Sequence, residues 1–83
     1  MYLAKIYITL KQGLLDPQGV TVKHALDSMG YAGVAEVRFG KYLELKLNSS
    51  GQAKAEEEVK EMCDRLLANP VIEDYRIEVT VQV

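Results

Sequence analysis

Several residue types are scarce in this chain of 83 residues, and each scarcity excludes a class of protein. The single cysteine, Cys63, excludes a disulfide within the chain and fits a reducing compartment. Only one histidine, His24, accompanies it, so we expect no structural zinc site, since such sites use four Cys or His ligands. No apolar run approaches the roughly 20 residues that cross a bilayer, and the first residues lack the pattern of a signal peptide. We therefore expect a cytoplasmic protein without membrane attachment.

The sequence also lacks an excess of charge of either sign. It has 10 Lys plus Arg and 12 Asp plus Glu, which give a net charge of −2 and a pI near 5.3. Nucleic-acid binders usually carry a basic patch on a basic domain, so we expect no nucleic-acid partner. The hydrophobic fraction of 48% and the charged fraction of 27% are typical of a folded chain. The length suits one domain over residues 1–83.

The first third of the chain predicts a strand followed by a helix. Apolar and polar residues alternate over residues 2–11, which is the pattern of a half-buried strand. Asp16 as N-cap and Pro17 in the first turn predict the start of the helix, and Gly30 predicts its left-handed end. Between these positions, apolar residues recur at helical spacing: Val22, Ala25, Leu26 and Met29.

The middle of the chain predicts a β-hairpin. Residues 34–39 and residues 42–47 both alternate between apolar and polar side chains. Gly40 and Lys41 stand between the two segments, where the pattern indicates a tight reversal. We therefore expect these two strands to pair with each other.

The last third predicts a helix and a final strand. Apolar residues from Ala55 to Leu67 follow helical spacing. We expect Asn69 in the left-handed conformation, followed by Pro70, to end this helix. Residues 75–83 alternate again and predict the last strand.

The predicted element order is βαββαβ, with strands that each have one apolar face. Two amphipathic helices can cover one side of such a sheet and leave the other side open. The predicted fold is therefore α+β and ferredoxin-like, with a four-stranded antiparallel sheet in the order 4-1-3-2 and two helices on one face.

Few residues offer catalytic chemistry. His24 has no second histidine to share a ligand, and a surface or boundary position is the better interpretation. Cys63 lies on the inward side of the second predicted helix, with no evident basic neighbour to activate it, so we expect it to pack. The sequence therefore predicts no active site, no metal site and no cofactor site on this chain.

Two alternative functions use the same fold. The segment 18–23 is similar to the phosphate loop of acylphosphatases, but Lys23 stands where that family has arginine, and no equivalent of its asparagine occurs near Glu36. Tyr7 and Tyr42 are placed for RNA stacking on the open face of the sheet, although the RNP pattern is absent. A small stand-alone acylphosphatase-like enzyme and a ferredoxin-like ligand-binding or RNA-binding module therefore remain as alternatives.

Three segments resemble a known family. They are Lys11–Gly19, Val37–Leu45 and Met62–Tyr75. Their order and spacing are similar to those of the PurS family, the small subunits of phosphoribosylformylglycinamidine synthase. The resemblance extends over the whole chain, and the segment Asn69–Glu73 makes it specific.

The resemblance implies a role in the fourth step of de novo purine biosynthesis. The enzyme converts formylglycinamide ribonucleotide, ATP and glutamine into the amidine, ADP, phosphate and glutamate. A glutaminase subunit releases ammonia, and a synthetase subunit activates the substrate with ATP and magnesium. The small subunit is implied to be non-catalytic and to be needed for assembly and ammonia transfer. Its implied partners are the synthetase and glutaminase subunits.

The segments that carry the resemblance supply the candidate residues for a partner interface. Most are turn or cap residues, whose backbone roles could explain their identity. Arg38 and Lys41 have no such expected role and are the better candidates for contact with a partner. The full set is Asp16, Pro17, Gly19, Arg38, Gly40, Lys41, Asn69 and Pro70.

The last strand predicts self-association. In the order 4-1-3-2 it lies at an edge, and its final five residues are uncharged with strong β tendency. A second copy of the chain could cover that edge across a two-fold axis. We therefore predict a homodimer, with higher assembly left open, through Val79, Thr80, Val81, Gln82 and Val83.

Overall fold

The computed structural model describes residues 1–82, in which three strands form one antiparallel sheet. The strands are β1 (Tyr2–Leu10), β2 (Gly40–Leu47) and β3 (Glu73–Val81). Their order is β2-β1-β3, so β1 pairs with both neighbours and lies in the centre. The predicted α+β class and this part of the strand order are confirmed.

The alternation in β1 determines which face of the sheet is buried. Ala4, Ile6 and Ile8 are at most 1% exposed and form the centre of the core. Lys5 and Tyr7 point to the opposite face, which no helix covers. A strand with a period of two therefore separates an apolar side from an open polar side, as the sequence predicts.

Helix α2 (Gln52–Met62) covers β1 and β3, as the predicted second helix should. Ala55, Val59 and Cys63 recur every four residues, so one stripe of the helix faces the sheet and is fully buried. A π-helical turn (Cys63–Leu67) continues the helix, and Ala68 in an extended conformation ends it. The residues of the core are Ala4, Ile6, Ile8, Ala55, Val59, Cys63, Ala68 and Val79.

Helix α1 (Pro17–Ser28) begins and ends as the sequence predicts. The side chain of Asp16 caps its N-terminus, and Pro17 is its first residue. At the other end, Gly30 has a φ of 96° and donates to the carbonyl of Asp27, while Tyr31 donates to that of Leu26. These two bonds are the Schellman pattern, for which glycine is the favoured residue.

Helix α1 does not cover the sheet, which differs from the predicted two-helix layer. Helix α1 makes no extensive contact with any of the three strands, and α2 makes none with β2. The radius of gyration is 16.4 Å, against about 12 Å for a compact chain of this length. Residues 17–39 therefore extend away from the sheet, and we call this segment the arm.

The predicted hairpin between residues 34–39 and 42–47 is wrong. Gly40 is the first residue of β2 and pairs with Thr9, so the chain passes straight through this point instead of reversing. The segment before Gly40 therefore runs past the end of the β1–β2 pairing, where the described part of the chain offers no strand to accept its backbone hydrogen bonds. The sheet has three strands instead of the predicted four for this reason.

The left-handed conformation predicted for Asn69 is also wrong. No residue other than glycine has a positive φ in the part of the chain that the structure describes. The Oδ1 atom of Asn69 instead accepts from the backbone N–H of Val71 at 3.0 Å, which forms an Asx turn. The Asn69 carbonyl accepts from Ile72 and Glu73 at 3.2 and 2.7 Å. Asparagine suits this position because its side chain closes the turn.

Within residues 1–82, neither helix has the length and apolar composition that crossing a membrane requires.

Candidate functional site

The candidate residues from distant parts of the sequence converge on one end of the sheet. This is the end where β1 finishes and where β2 and β3 begin. We call it the signature end and define it as residues 16–19, 37–41 and 69–74. A groove at this end is lined by Ile8, Thr9, Leu10, Asp16, Gln18, Phe39, Gly40, Lys41 and Glu73.

The Asp16 carboxylate joins two segments of the signature end by hydrogen bonds. Its Oδ1 accepts from the N–H of Gly19 at 3.1 Å, which caps α1. Its Oδ2 accepts from the N–H of Phe39 at 2.7 Å, across 23 residues of sequence. The bond from Phe39, and then that from Gly19, hold the pKa of the Asp16 carboxyl below its ordinary value, because both stabilise the charged form. The carboxylate therefore joins the beginning of the arm to its end.

Two of the candidate glycines are explained by close backbone approach. A Cβ on Gly19 would collide with the carbonyl of Val37, and a Cβ on Gly40 would collide with the carbonyl of Ile8. Any larger residue would push these segments apart. Gly19 and Gly40 therefore serve the geometry of the chain itself.

Arg38 has the backbone role that the sequence did not predict. Its guanidinium donates to the carbonyl of Leu10, the last residue of β1, and also lies 3.4 Å from the Glu36 carboxylate. It therefore ties the returning part of the arm to the sheet. The expectation that Arg38 has no backbone role is wrong, because Leu10 ends β1 with a carbonyl that β2 does not reach.

Lys41 and Asn69 meet through Glu73, which the sequence analysis did not single out. The Glu73 carboxylate accepts from the N–H of Asn69 at 2.8 Å and lies 3.5 Å from Lys41 Nζ. Beside it, Lys11 pairs with Asp74 at 3.0 Å. Glu73 lies within the segment that carries the family resemblance, which was the available signal.

The predicted self-association residues lie on the free edge of β3, as far as the structure describes them. Val79 is buried in the core, whereas Thr80 and Val81 are exposed. The N–H of Gln82 donates to the carbonyl of Met1 at 2.9 Å. Val83 lies outside the described residues. Self-association through this edge stays a prediction.

The open face of the sheet carries an aromatic pair, as the RNA-binding alternative required. The Tyr7 and Tyr42 rings lie 5.1 Å apart, and the Arg76 guanidinium lies 4.2 Å from the Tyr7 ring. Tyr42 donates to Glu44 at 2.7 Å, and this bond, with lesser effects from burial and charge, raises the pKa of Tyr42 to about 12. Because carboxylates occupy the hydroxyl ends of both rings, the face is unsuited to a phosphate backbone.

The residues with intrinsic reactivity are not arranged for catalysis. Cys63 is fully buried in the core, and burial is the main cause that raises the pKa of its thiol, so the nucleophilic thiolate is disfavoured. His24 lies on the exposed side of α1. No group of three or more His, Cys, Asp or Glu side chains among residues 1–82 could hold a metal ion.

These observations define a class of protein before they define a family. The chain is a small α+β protein whose distinctive residues shape its backbone and leave an unpacked helical arm, as expected of a subunit that works by contact with other chains. Residues 3–81 match the model of the family described as PurS, phosphoribosylformylglycinamidine (FGAM) synthase. The chain belongs to the PurS family.

Curated relatives and solved structures agree with this membership. The PurS subunit of phosphoribosylformylglycinamidine synthase from Bacillus subtilis is 56% identical, over 95% of this chain and 93% of the relative. A crystal structure of Bacillus subtilis PurS superposes with a TM-score of 0.87 at 54% identity, over 98% of this chain and 100% of that chain. PurLQS from Thermotoga maritima contains a chain with a TM-score of 0.85 at 28% identity, over 96% of this chain and 99% of that chain.

Proposed function

We propose that this chain is the subunit of phosphoribosylformylglycinamidine synthase that docks the glutaminase subunit onto the synthetase subunit. Its membership of the PurS family and its likeness to a chain of PurLQS from Thermotoga maritima support this function. Docking orders the path by which ammonia passes between two active sites without loss to water. The chain thereby serves a glutamine-dependent ligase of purine biosynthesis in the cytoplasm. ATP and magnesium act on the other subunits, and this chain holds no cofactor of its own.

The observation that carries the proposal is the convergence of the family-specific residues on the signature end. Residues from three separate segments meet there, and several keep exposed side chains: Pro17, Arg38, Lys41 and Pro70. A surface built from a rigid network presents its side chains at little entropic cost on binding. The signature end is therefore the proposed contact with the partner subunits.

We propose, in addition, that the chain works as a homodimer joined through the arm. The apolar stripe of α1 has no strand to cover within its own chain. The apolar face of β2 has no helix over it, and Leu43, Leu45 and Leu47 remain half-buried. The two uncovered surfaces match in character, so two copies related by a two-fold axis can each cover the other.

The segment before β2 supports the same arrangement. Residues 34–39 belong to no helix or strand, and β2 has a free edge. A second copy can pair its own residues 34–39 with that edge and restore the missing fourth strand. The predicted contact through the β3 edge would bury backbone groups but leave the arm uncovered, so the arm is the stronger candidate for the dimer contact.

Reconstitution of the enzyme tests the docking function. Purified glutaminase and synthetase subunits are assayed for FGAM formation with glutamine, with and without this chain. We expect this chain to be required for the glutamine-dependent rate, whereas the rate with added ammonium persists without it. Equal glutamine-dependent rates in both mixtures contradict the proposal.

Two lysines on β2 allow a matched test of the signature end. Lys41→Ala removes a side chain that is 60% exposed there, while Lys46→Ala removes an exposed lysine five residues along the same strand. We expect Lys41→Ala to weaken binding to the partner subunits roughly fivefold, or about 1 kcal/mol, and Lys46→Ala to leave it unchanged. Equal effects of the two substitutions place the contact elsewhere.

A further inference from the structure

Polar contacts at its base, instead of apolar packing, hold the arm in position. The arm leaves through α1 and returns through residues 31–39 to β2, so its two ends lie side by side. Helix α1 has no extensive contact with the sheet that could fix its direction. The groups that tie the two ends together must therefore determine where the arm points.

Asp16 is the group that binds both ends at once. One carboxylate oxygen accepts from Gly19 in the outgoing helix at 3.1 Å, and the other accepts from Phe39 in the returning segment at 2.7 Å. A neutral cap residue could satisfy the first bond, but the second requires a further acceptor aimed in another direction. The bond from Phe39 is therefore not needed to cap α1.

Two neighbours make the same junction tight. The Cα of Gly19 lies directly against the carbonyl of Val37, with no room for a side chain between them. Arg38 then anchors the returning segment to the carbonyl of Leu10 at the end of β1. The base of the arm is therefore tied in turn to the end of the central strand.

We propose that Asp16 is a positioning residue that sets the direction of the arm, so that its apolar stripe meets the sheet of a second copy. This inference rests on the proposed homodimer and names the residue that prepares one copy for it. Preorganisation of this kind strengthens association because the arm is already ordered before binding. The binding free energy is then not reduced by the entropy lost on ordering it. Without the bond to Phe39, α1 keeps its N-cap, but its direction relative to the sheet is no longer held.

Asp16→Asn separates positioning from capping. Asparagine is as good an N-cap as aspartate, so the bond from Gly19 persists. Its second polar atom is an NH₂ group, which donates and cannot accept from the Phe39 N–H. Asp27→Asn is the matched control, because Asp27 lies on the same helix and its carboxylate forms an exposed ion pair with Lys23 at 3.0 Å.

The first measurement is amide hydrogen exchange of Phe39 and Gly19 in both variants, made in an Ala25→Glu background to suppress dimerisation. Hydrogen bonds to charged acceptors contribute roughly tenfold or more to an equilibrium. We expect Asp16→Asn to speed exchange at Phe39 by about that factor and to leave Gly19 unchanged. Unchanged exchange at Phe39 overturns the proposal.

The second measurement is the dimer dissociation constant by sedimentation, without the Ala25→Glu change. We expect Asp16→Asn to raise it about tenfold and Asp27→Asn to leave it unchanged. Faster exchange at Phe39 with an unchanged dissociation constant overturns the link to assembly. A monomeric wild type refutes the proposed dimer, and exchange at Phe39 then decides by itself whether Asp16 holds the arm.

Discussion

Single residues at the signature end act mainly on their own backbone. Asn69 closes a turn with its side chain and receives two backbone donors on its carbonyl. Gly19 and Gly40 occupy positions where another chain segment leaves no space for a Cβ. Residue identity that resembles a binding signature can therefore arise from geometry, and the proposed contact with partners is assigned to the exposed side chains beside it.

The Asx turn at Asn69 leads to a stability prediction. Asn69→Ala leaves the Val71 N–H without its 3.0 Å partner, and we expect the free energy of unfolding to fall by about 1 kcal/mol. Asn69→Asp keeps an acceptor at the same position and should be nearly neutral. Chemical denaturation of the three proteins measures the difference. An Asn69→Gly protein more stable than the wild type would instead indicate a left-handed conformation.

At the scale of elements, α2 stabilises the sheet and α1 does not. Stripes of apolar residues occur on both helices, but within residues 1–82 it is the stripe of α2 that packs extensively against strands. Periodicity shows that a helix has an apolar face, without showing which surface covers it. That is why the sequence predicts both helices correctly yet misplaces one of them.

Burial of Cys63, where the π-helical turn continues α2, predicts a loss of stability in alkali. The raised thiol pKa means that the folded state retains a proton that the unfolded state releases. This stabilisation is therefore complete below the ordinary thiol pKa of 9.0 and is lost as pH rises through the folded pKa. We expect the unfolding free energy of the wild type to fall more steeply above about pH 9 than that of Cys63→Ala. Parallel pH profiles would contradict this assignment.

At the scale of the whole molecule, the principal dimensions are 51 × 29 × 14 Å. A sheet with one helix on it and an arm beside it leaves apolar surface on both parts, more than a small monomer usually exposes. Six exposed large apolar residues lie on or next to the arm: Leu14, Leu15, Val20, Met29, Tyr31 and Phe39. The proposed assembly with a second copy would remove this surface from water.

Two neighbouring positions on the arm test the proposed dimer. Ala25→Glu places a charge within the apolar stripe, and His24→Glu places the same charge on the opposite side of α1. Both residues are exposed in the single chain, so neither change disturbs its core. We expect Ala25→Glu to produce a monomer at micromolar concentration and His24→Glu to remain dimeric in sedimentation.

The β3 edge provides the contrasting variant for that experiment. The N–H of Gln82 donates to Met1, and alternate residues of an antiparallel strand face the same neighbour, so the N–H of Val81 points to the free edge. Val81→Pro removes that N–H and leaves the pairing of β3 with β1 intact. A dimer that survives Ala25→Glu but dissociates with Val81→Pro would show that the β3 edge, as the sequence predicts, is the contact.

The sequence by itself determined the local structure of this protein. Three local features depend only on neighbours a few positions away: the alternation in residues 2–10, the helix start at Asp16-Pro17 and the helix end at Gly30. They can therefore be predicted without knowing the fold. The family resemblance likewise lies in short segments, and the comparisons confirm it. Only the tertiary structure decided that the chain passes straight through Gly40, that α1 stands apart from the sheet, and that Asp16 reaches Phe39. These features depend on contacts between distant segments, which the spacing of residues along one chain does not encode.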